Sequence, residues 1–239
     1  MQTAVKMGHN VTGAQMSPKD SEEVVKASQE VLPDVPGGPE RLALYRTEVA
    51  AQAESIGSVP VPGSAKGMLK TAVNKMVGVS PEVLIDKLGE RLAFERGGVR
   101  LYDALLAKAM AIDTLDGSLL ERLQEFRAEE AEHLELVKAA IEKLGADPTA
   151  MTPCADVVGC MNMGVMETIT DPRTNLAQSL NALLTAEMSD NAGWELLIDL
   201  ANASGQKDIA KSFGKALHQE QVHMETVKQW LSQEVLRQV

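Results

Sequence analysis

One spacing of metal-ligating residues occurs twice in the chain. Glu130-Ala131-Glu132-His133 and Glu220-Gln221-Val222-His223 both read Glu-x-x-His. Positions i and i+3 share one face of an α-helix, so a single ion could take both side chains. A lone Glu precedes each pair, Glu95 by 35 residues and Glu187 by 33. Each lone Glu is followed seven residues later by a large aromatic, Tyr102 and Trp194. Four carboxylates and two imidazoles form the ligand set of a two-metal carboxylate site inside a four-helix bundle. One such motif alone is weak, because most are exposed helix surface or a satisfied core histidine. The duplication is the stronger signal.

The elements must bring these groups to one level. The midpoint between Glu95 and the first pair falls near Asp113-Thr114, and the midpoint between Glu187 and the second near Ser204-Gly205. Both coincide with breaks in the helical pattern. A hairpin folded at each midpoint sets the lone Glu level with its Glu-x-x-His.

The apolar periodicity predicts those hairpins. Helix A runs from Ser80-Pro81, an N-cap and N1 pair, to about Ile112, with Glu95 in the stripe of Leu84, Leu88, Leu92, Val99, Tyr102 and Leu106. Helix B covers about 118–144 and ends at Gly145. Helix C is expected to start at Asp171-Pro172 and run to about Ala203, and helix D to cover about 206–237. The expected fold is all-α: a four-helix bundle over 80–239, made of two antiparallel hairpins joined by a long crossover over 146–171. That crossover should carry one short helix over 154–168.

Ahead of the bundle, residues 1–36 read as a mobile polar tail with one short helix near 21–31. Residues 37–79 read as short accessory helices, over 39–56 and 64–77, around the linker Gly57-Ser58-Val59-Pro60-Val61-Pro62-Gly63.

A carboxylate in an apolar stripe costs several kcal/mol unless it is paired or bound to a metal. Two divalent ions would cancel the charges of Glu95, Glu130, Glu187 and Glu220, with His133 and His223 neutral. Carboxylate plus imidazole suits iron or manganese. Glu129, Glu132, Glu135 and Glu225 point away from the stripes and read as solvated faces. His218 reads as a surface residue and Trp194 as packing. Tyr102 could pack, hydrogen-bond a ligand or carry an electron. Asp190, one turn after Glu187, could orient His133 or His223, or be a seventh ligand. Gly97-Gly98 beside Glu95 costs the helix about 1 kcal/mol per Gly, which a π-bulge or an opening for substrate would explain. Met151, Cys154, Cys160, Met161, Met163 and Met166 in the crossover suit a Met-packed lid, or a soft-metal site.

Composition bounds the rest. Hydrophobic residues are 44% and aromatics 3%, which favours helix over sheet. The net charge of −11 argues against nucleic acid and anionic membrane surfaces as partners. No apolar run approaches the ~18 residues of a membrane span, and Met1 to Ser17 has no secretory-type stretch. Two cysteines suit a reducing compartment, so the expectation is cytoplasmic.

Over about 80–237, Glu95…Glu130-x-x-His133…Glu187…Glu220-x-x-His223 resembles the ferritin-like superfamily, in particular the diiron-carboxylate branch with rubrerythrins, bacterioferritins and ferritins. The resemblance implies two Fe ions, bridged by Glu130 and Glu220, with Glu95 and His133 on one and Glu187 and His223 on the other. Tyr102 matches the tyrosine beside the ferroxidase site of many ferritins. Asp190 stands where rubrerythrins carry an extra carboxylate, though it is shorter. Tyr102 and Asp190 are therefore candidate catalytic residues. The implied function is an oxidoreductase acting on O2 or peroxide, or oxidising Fe(II).

The chain has no Cys-x-x-Cys pair, so electrons would come from an external donor. The first 79 residues and the long crossover are unlike compact cage-forming ferritins, and a homodimer is expected rather than a hollow shell. The alternatives are a dimanganese catalase-like enzyme, an iron-storage protein and a metal-free helical interaction protein.

Overall fold

The computed structural model describes residues 7–32, 37–62, 67–68, 80–112 and 117–239. The chain divides after Ile56: Thr3–Ile56 forms one unit, and Gly57–Val239 lies in the other. Secondary structure among the described residues is helical throughout.

The first unit holds α1 (Pro18–Glu30) and α2 (Pro39–Gln52), each opened by proline at its first position. Neither buries a residue, and Leu42, Leu44 and Val49 of α2 are exposed. The helix expected over 64–77 and the turn at Asp113-Thr114 fall largely or wholly outside the described residues.

Four long helices build the second unit: α3 (Pro81–Met110), α4 (Gly117–Leu144), α7 (Leu176–Ala203) and α8 (Lys207–Leu236). They pack in the cyclic order α3, α4, α8, α7. Both hairpins are antiparallel, because each lone Glu sits mid-way up its helix and meets its Glu-x-x-His mid-way down the next. The ends repeat as well. Gly145 and Gly205 have φ of 85° and 72°, which favour glycine, and each follows the last turn of a helix. In both, the next amide reaches back to close the turn: Ala146 N–H donates to Ile141 at 3.1 Å and Gln206 N–H to Ala201 at 2.8 Å.

Three sequence expectations need correction. Ser80 makes no side-chain cap, so Pro81 alone marks the start of α3. Helix C begins at Leu176 rather than after Asp171-Pro172. Asn175 and Gln178 form a reciprocal capping box there, which satisfies two otherwise orphaned amides. The crossover carries two helices, α5 (Pro153–Met161) and α6 (Met163–Thr170), where one was expected.

The methionine-packed lid holds only in part. Met166 packs against the bundle, but Met151, Met161 and Met163 are exposed, and the buried crossover residues are Thr152, Ala155, Val158 and Ile169. Helix α5 lies on α3, and α6 on α3 and α7. Gly89 lets Thr152 approach α3, since a Cβ there would sit 2.8 Å from Thr152 Cγ2. At the far end, Lys108 of α3 donates to the carbonyls of Asp171 (2.9 Å) and Thr174 (3.1 Å) and to Ser179 Oγ (3.0 Å), tying the entry of α7 to α3.

The bundle core is two apolar clusters. One gathers Leu84, Leu88, Val137, Ile141, Trp194, Leu197 and Phe213. The other gathers Leu101, Tyr102, Leu105, Leu123, Phe126, Leu180, Leu183 and Val227. The six candidate ligands occupy the level between these two sets along all four helices.

Candidate metal centre

Each helix contributes from its middle. Helix α3 supplies Glu95, α4 supplies Glu130 and His133, α7 supplies Glu187, and α8 supplies Glu220 and His223. All six are at most 3% exposed. Two overlapping sets of their ligand atoms each lie within 4.8 Å of one another and could hold a metal ion: Glu130, Glu187, Glu220 and His223, and Glu95, His133 and Glu220. A third set joins Glu95, Glu130 and Glu220 to Asp190.

Hydrogen bonding determines which imidazole nitrogen faces inward. Gln219 Nε2 donates to Glu129 Oε1 at 2.7 Å, so the amide turns Oε1 toward His133 Nε2 at 3.1 Å. That nitrogen must therefore carry the proton. His223 Nε2 lies 2.7 Å from Glu129 Oε2, a carboxylate that only accepts. Both rings thus spend Nε2–H on the outside and aim Nδ1 into the cluster.

Inside, the contacts are close and several polar atoms lack an aligned partner. His133 Nδ1 is 2.5 Å from Glu220 Oε1, and His223 Nδ1 is 3.1 Å from Glu220 Oε2 and 3.6 Å from Glu130 Oε1. Neither Nδ1 has an aligned hydrogen bond, nor does Oε2 of Glu95, Glu130 or Glu187, nor either oxygen of Glu220. Lone pairs packed this closely need a cation between them, a proton or a metal ion. The donor set, its burial and its inward lone pairs fit a metal.

Ionisation shows the same crowding. Burial and then Glu130 push Glu95 well above the usual carboxylate range, and burial, Glu130 and Glu220 do so for Glu187. Burial opposes the imidazolium of His223, but Glu130 and Glu220 outweigh it and raise the group to about 11. Burial likewise works against the carboxylate of Glu220, yet the two imidazoles hold it down at about 2. Without a metal, protons neutralise the cluster, and a metal ion entering it displaces them.

The two aromatics cross between hairpins. Tyr102 of α3 donates to Glu187 Oε1 of α7 at 2.6 Å and stands edge-on to His223. Burial and the Glu187 charge push its phenol well above its ordinary value. Trp194 of α7 packs edge-on to His133 of α4, with ring centroids 5.7 Å apart. Asn191 donates to the carbonyls of Glu187 (3.0 Å) and Glu220 (3.1 Å), holding two ligand-bearing turns level.

Other residues depart from the sequence reading. Glu129 is no freely solvated side chain, since His223 and Gln219 both donate to it. Glu132, Glu135, Glu225 and His218 are exposed, in agreement with that reading. Asp190 pairs with Arg91 rather than with either histidine. Arg91, at 3% exposure and one turn before Glu95, also donates to Glu95 Oε1 at 3.3 Å and lies over Phe94 and Trp194. Gly193 makes room for it, because a Cβ there would be 2.8 Å from Arg91 Cζ.

Gly98 is neither a π-bulge nor an opening. The backbone is α-helical through it, and a Cβ would sit 2.8 Å from Glu130 Cδ. Arg91 and the Glu129–Gln219 pair were missed from sequence. Glu129 and Gln219 each stand one residue before the Glu of a Glu-x-x-His, so a longer repeat unit would have found them. Arg91 has no repeat partner to reveal it.

No match appears among curated proteins or among solved structures. Residues 80–239, which span all four long helices and every ligand candidate, match the family model described as "Domain of unknown function (DUF892)", and the chain belongs to that family.

Proposed function

We propose that the cluster holds two divalent metal ions, iron in the first instance, in a ferritin-like bundle, and that the protein is a diiron-carboxylate oxidoreductase acting on O2 or peroxide or oxidising Fe(II). The observation that carries this reading is that both imidazole Nδ1 atoms aim into four buried carboxylates and seven polar atoms at that level lack an aligned hydrogen bond. Hydrogen-bond satisfaction is the rule for buried polar groups, and its failure at seven atoms of one level calls for a cation.

Glu95 and His133 would hold one ion, Glu187 and His223 the other, with Glu130 and Glu220 shared. Bound iron would supply one-electron chemistry toward dioxygen or peroxide. The chain's own residues do the rest. Glu129 and Gln219 orient the imidazoles. Tyr102 holds Glu187 through its hydroxyl and is the buried phenol closest to the cluster. The apolar clusters above and below exclude bulk water. Electrons come from an external donor, since the chain carries no Cys-x-x-Cys pair.

Metal content of protein purified without added metal tests the reading first. About two Fe per chain supports it, and about two Mn moves the assignment to a catalase-like reaction. Glu130→Ala is expected to abolish stoichiometric binding while retaining most helicity. Two metals per chain in that variant would refute the site.

A further inference from the structure

Resting on the two-metal reading, we infer that the two positions are unequal by construction: the Glu187/His223 position fills first and tightly, and the Glu95/His133 position second and more weakly. The two hairpins repeat the ligands, but two features around the ligands do not repeat.

The first is the group behind each imidazole. His223 Nε2–H meets a carboxylate, Glu129 Oε2, at 2.7 Å. His133 Nε2–H meets only the neutral amide oxygen of Gln219 at 3.1 Å. A carboxylate behind an imidazole makes it a stronger donor to metal than an amide does. The substitution of Gln for Glu at this one position also has a packing reason. Glu129 and Gln219 touch at 2.7 Å, and two carboxylates at that distance would repel.

The second is Arg91. Its guanidinium donates to Glu95 while pairing with Asp190, all three buried, so Glu95 Oε1 is already engaged by a cation. In α7 the matching place, four residues before Glu187, is Leu183. A cation in direct contact with a ligand competes with an incoming ion for that carboxylate. Beyond the ligand set, Glu187 Oε1 accepts from the neutral phenol of Tyr102.

Ligand count does not separate the positions, since four groups converge on the His223 side and Glu95 joins Glu130, Glu220 and Asp190 in a set of four on the other. Both features favour the same position. Glu129 and Gln219 are therefore positioning residues that set the order of loading, with no contact to substrate required.

Anaerobic titration of the full-length, metal-stripped chain with Co(II) alone, followed by calorimetry and visible absorption, tests this. The expected result is two resolved steps of one equivalent each. His223→Ala should lose the tight step. His133→Ala should keep one equivalent bound with nearly unchanged affinity. Glu129→Gln should weaken the first step about 10–100-fold and merge the two. If Glu129→Gln does not fold, the comparison of the two histidine variants decides the matter. Two ions bound with one affinity in the parent chain, or a tight step that survives in His223→Ala and vanishes in His133→Ala, would overturn the order while leaving the two-metal site standing. No Co(II) uptake by the folded parent would instead remove the two-metal reading on which the order rests.

Discussion

At the scale of single residues, the cluster carries its charge state with it. Glu95 and Glu187 have folded-state values raised above the ordinary carboxylate range, so their contribution to stability is complete below about pH 4 and is lost as pH rises through the raised values. His223 acts in the same direction: its contribution is complete below about pH 6.5 and is lost as pH rises toward about 11. Glu220, held at about 2, contributes above the ordinary range and loses that only in strong acid. The metal-stripped protein should therefore melt at progressively lower temperature between about pH 5 and pH 9. Loading with divalent metal should cancel the decline, because the ion takes over from the protons. Thermal melts of both forms across that window check this, and parallel curves would count against it. Tyr102→Phe leaves Glu187 Oε1 without its protein donor and should cost the stripped protein about 1–3 kcal/mol, read by denaturant unfolding.

At the scale of the helix, glycine separates what a site needs from what a helix tolerates. Gly98 faces the Glu130 carboxylate, so Gly98→Ala must push Glu130 aside. It should cost about 1–3 kcal/mol and weaken metal binding together. Gly214, in the middle of exposed α8 surface with nothing near its missing Cβ, gives the opposite sign. Gly214→Ala should stabilise by about 1 kcal/mol and leave metal stoichiometry unchanged. Measuring both by chemical denaturation, with metal content alongside, distinguishes a helix cost from a site requirement. The same contrast explains why Gly98 looked from sequence like a helix defect: its reason lies on α4, 32 residues away.

At the scale of the molecule, the two units differ in what they bury. Helices α1 and α2 bury no residue, whereas the long helices share a continuous core on either side of the ligand level. A chain beginning at Gly57 should keep the melting temperature and metal stoichiometry of the full chain, a comparison that calorimetry makes directly. A fall of several degrees would assign the first 56 residues a structural part in the bundle. No described helix is long and apolar enough to cross a membrane.

Much of this was legible in one dimension. The 3.6-residue apolar stripe marks four long helices, and a polar residue within that stripe must be buried whatever the details of packing. Glu95, Glu130, His133, Glu187, Glu220 and His223 could be listed together because the helix period and two midpoint turns force them to one level. What needed three dimensions were the groups behind the ligands. Which nitrogen of each histidine faces inward depends on Gln219 and Glu129, which meet only when α4 and α8 pack. The Arg91–Asp190 pair joins α3 to α7 across nearly a hundred residues, and no periodicity within one helix can announce a contact between two. The crossover shows a related effect: methionine content says what could pack against the bundle, but the register of α5 and α6 decides that Ala155, Val158, Ile169 and, of the methionines, Met166 do. Short-range spacing sets which residues are buried, whereas the identity of a buried group's partner is decided by the neighbouring helix.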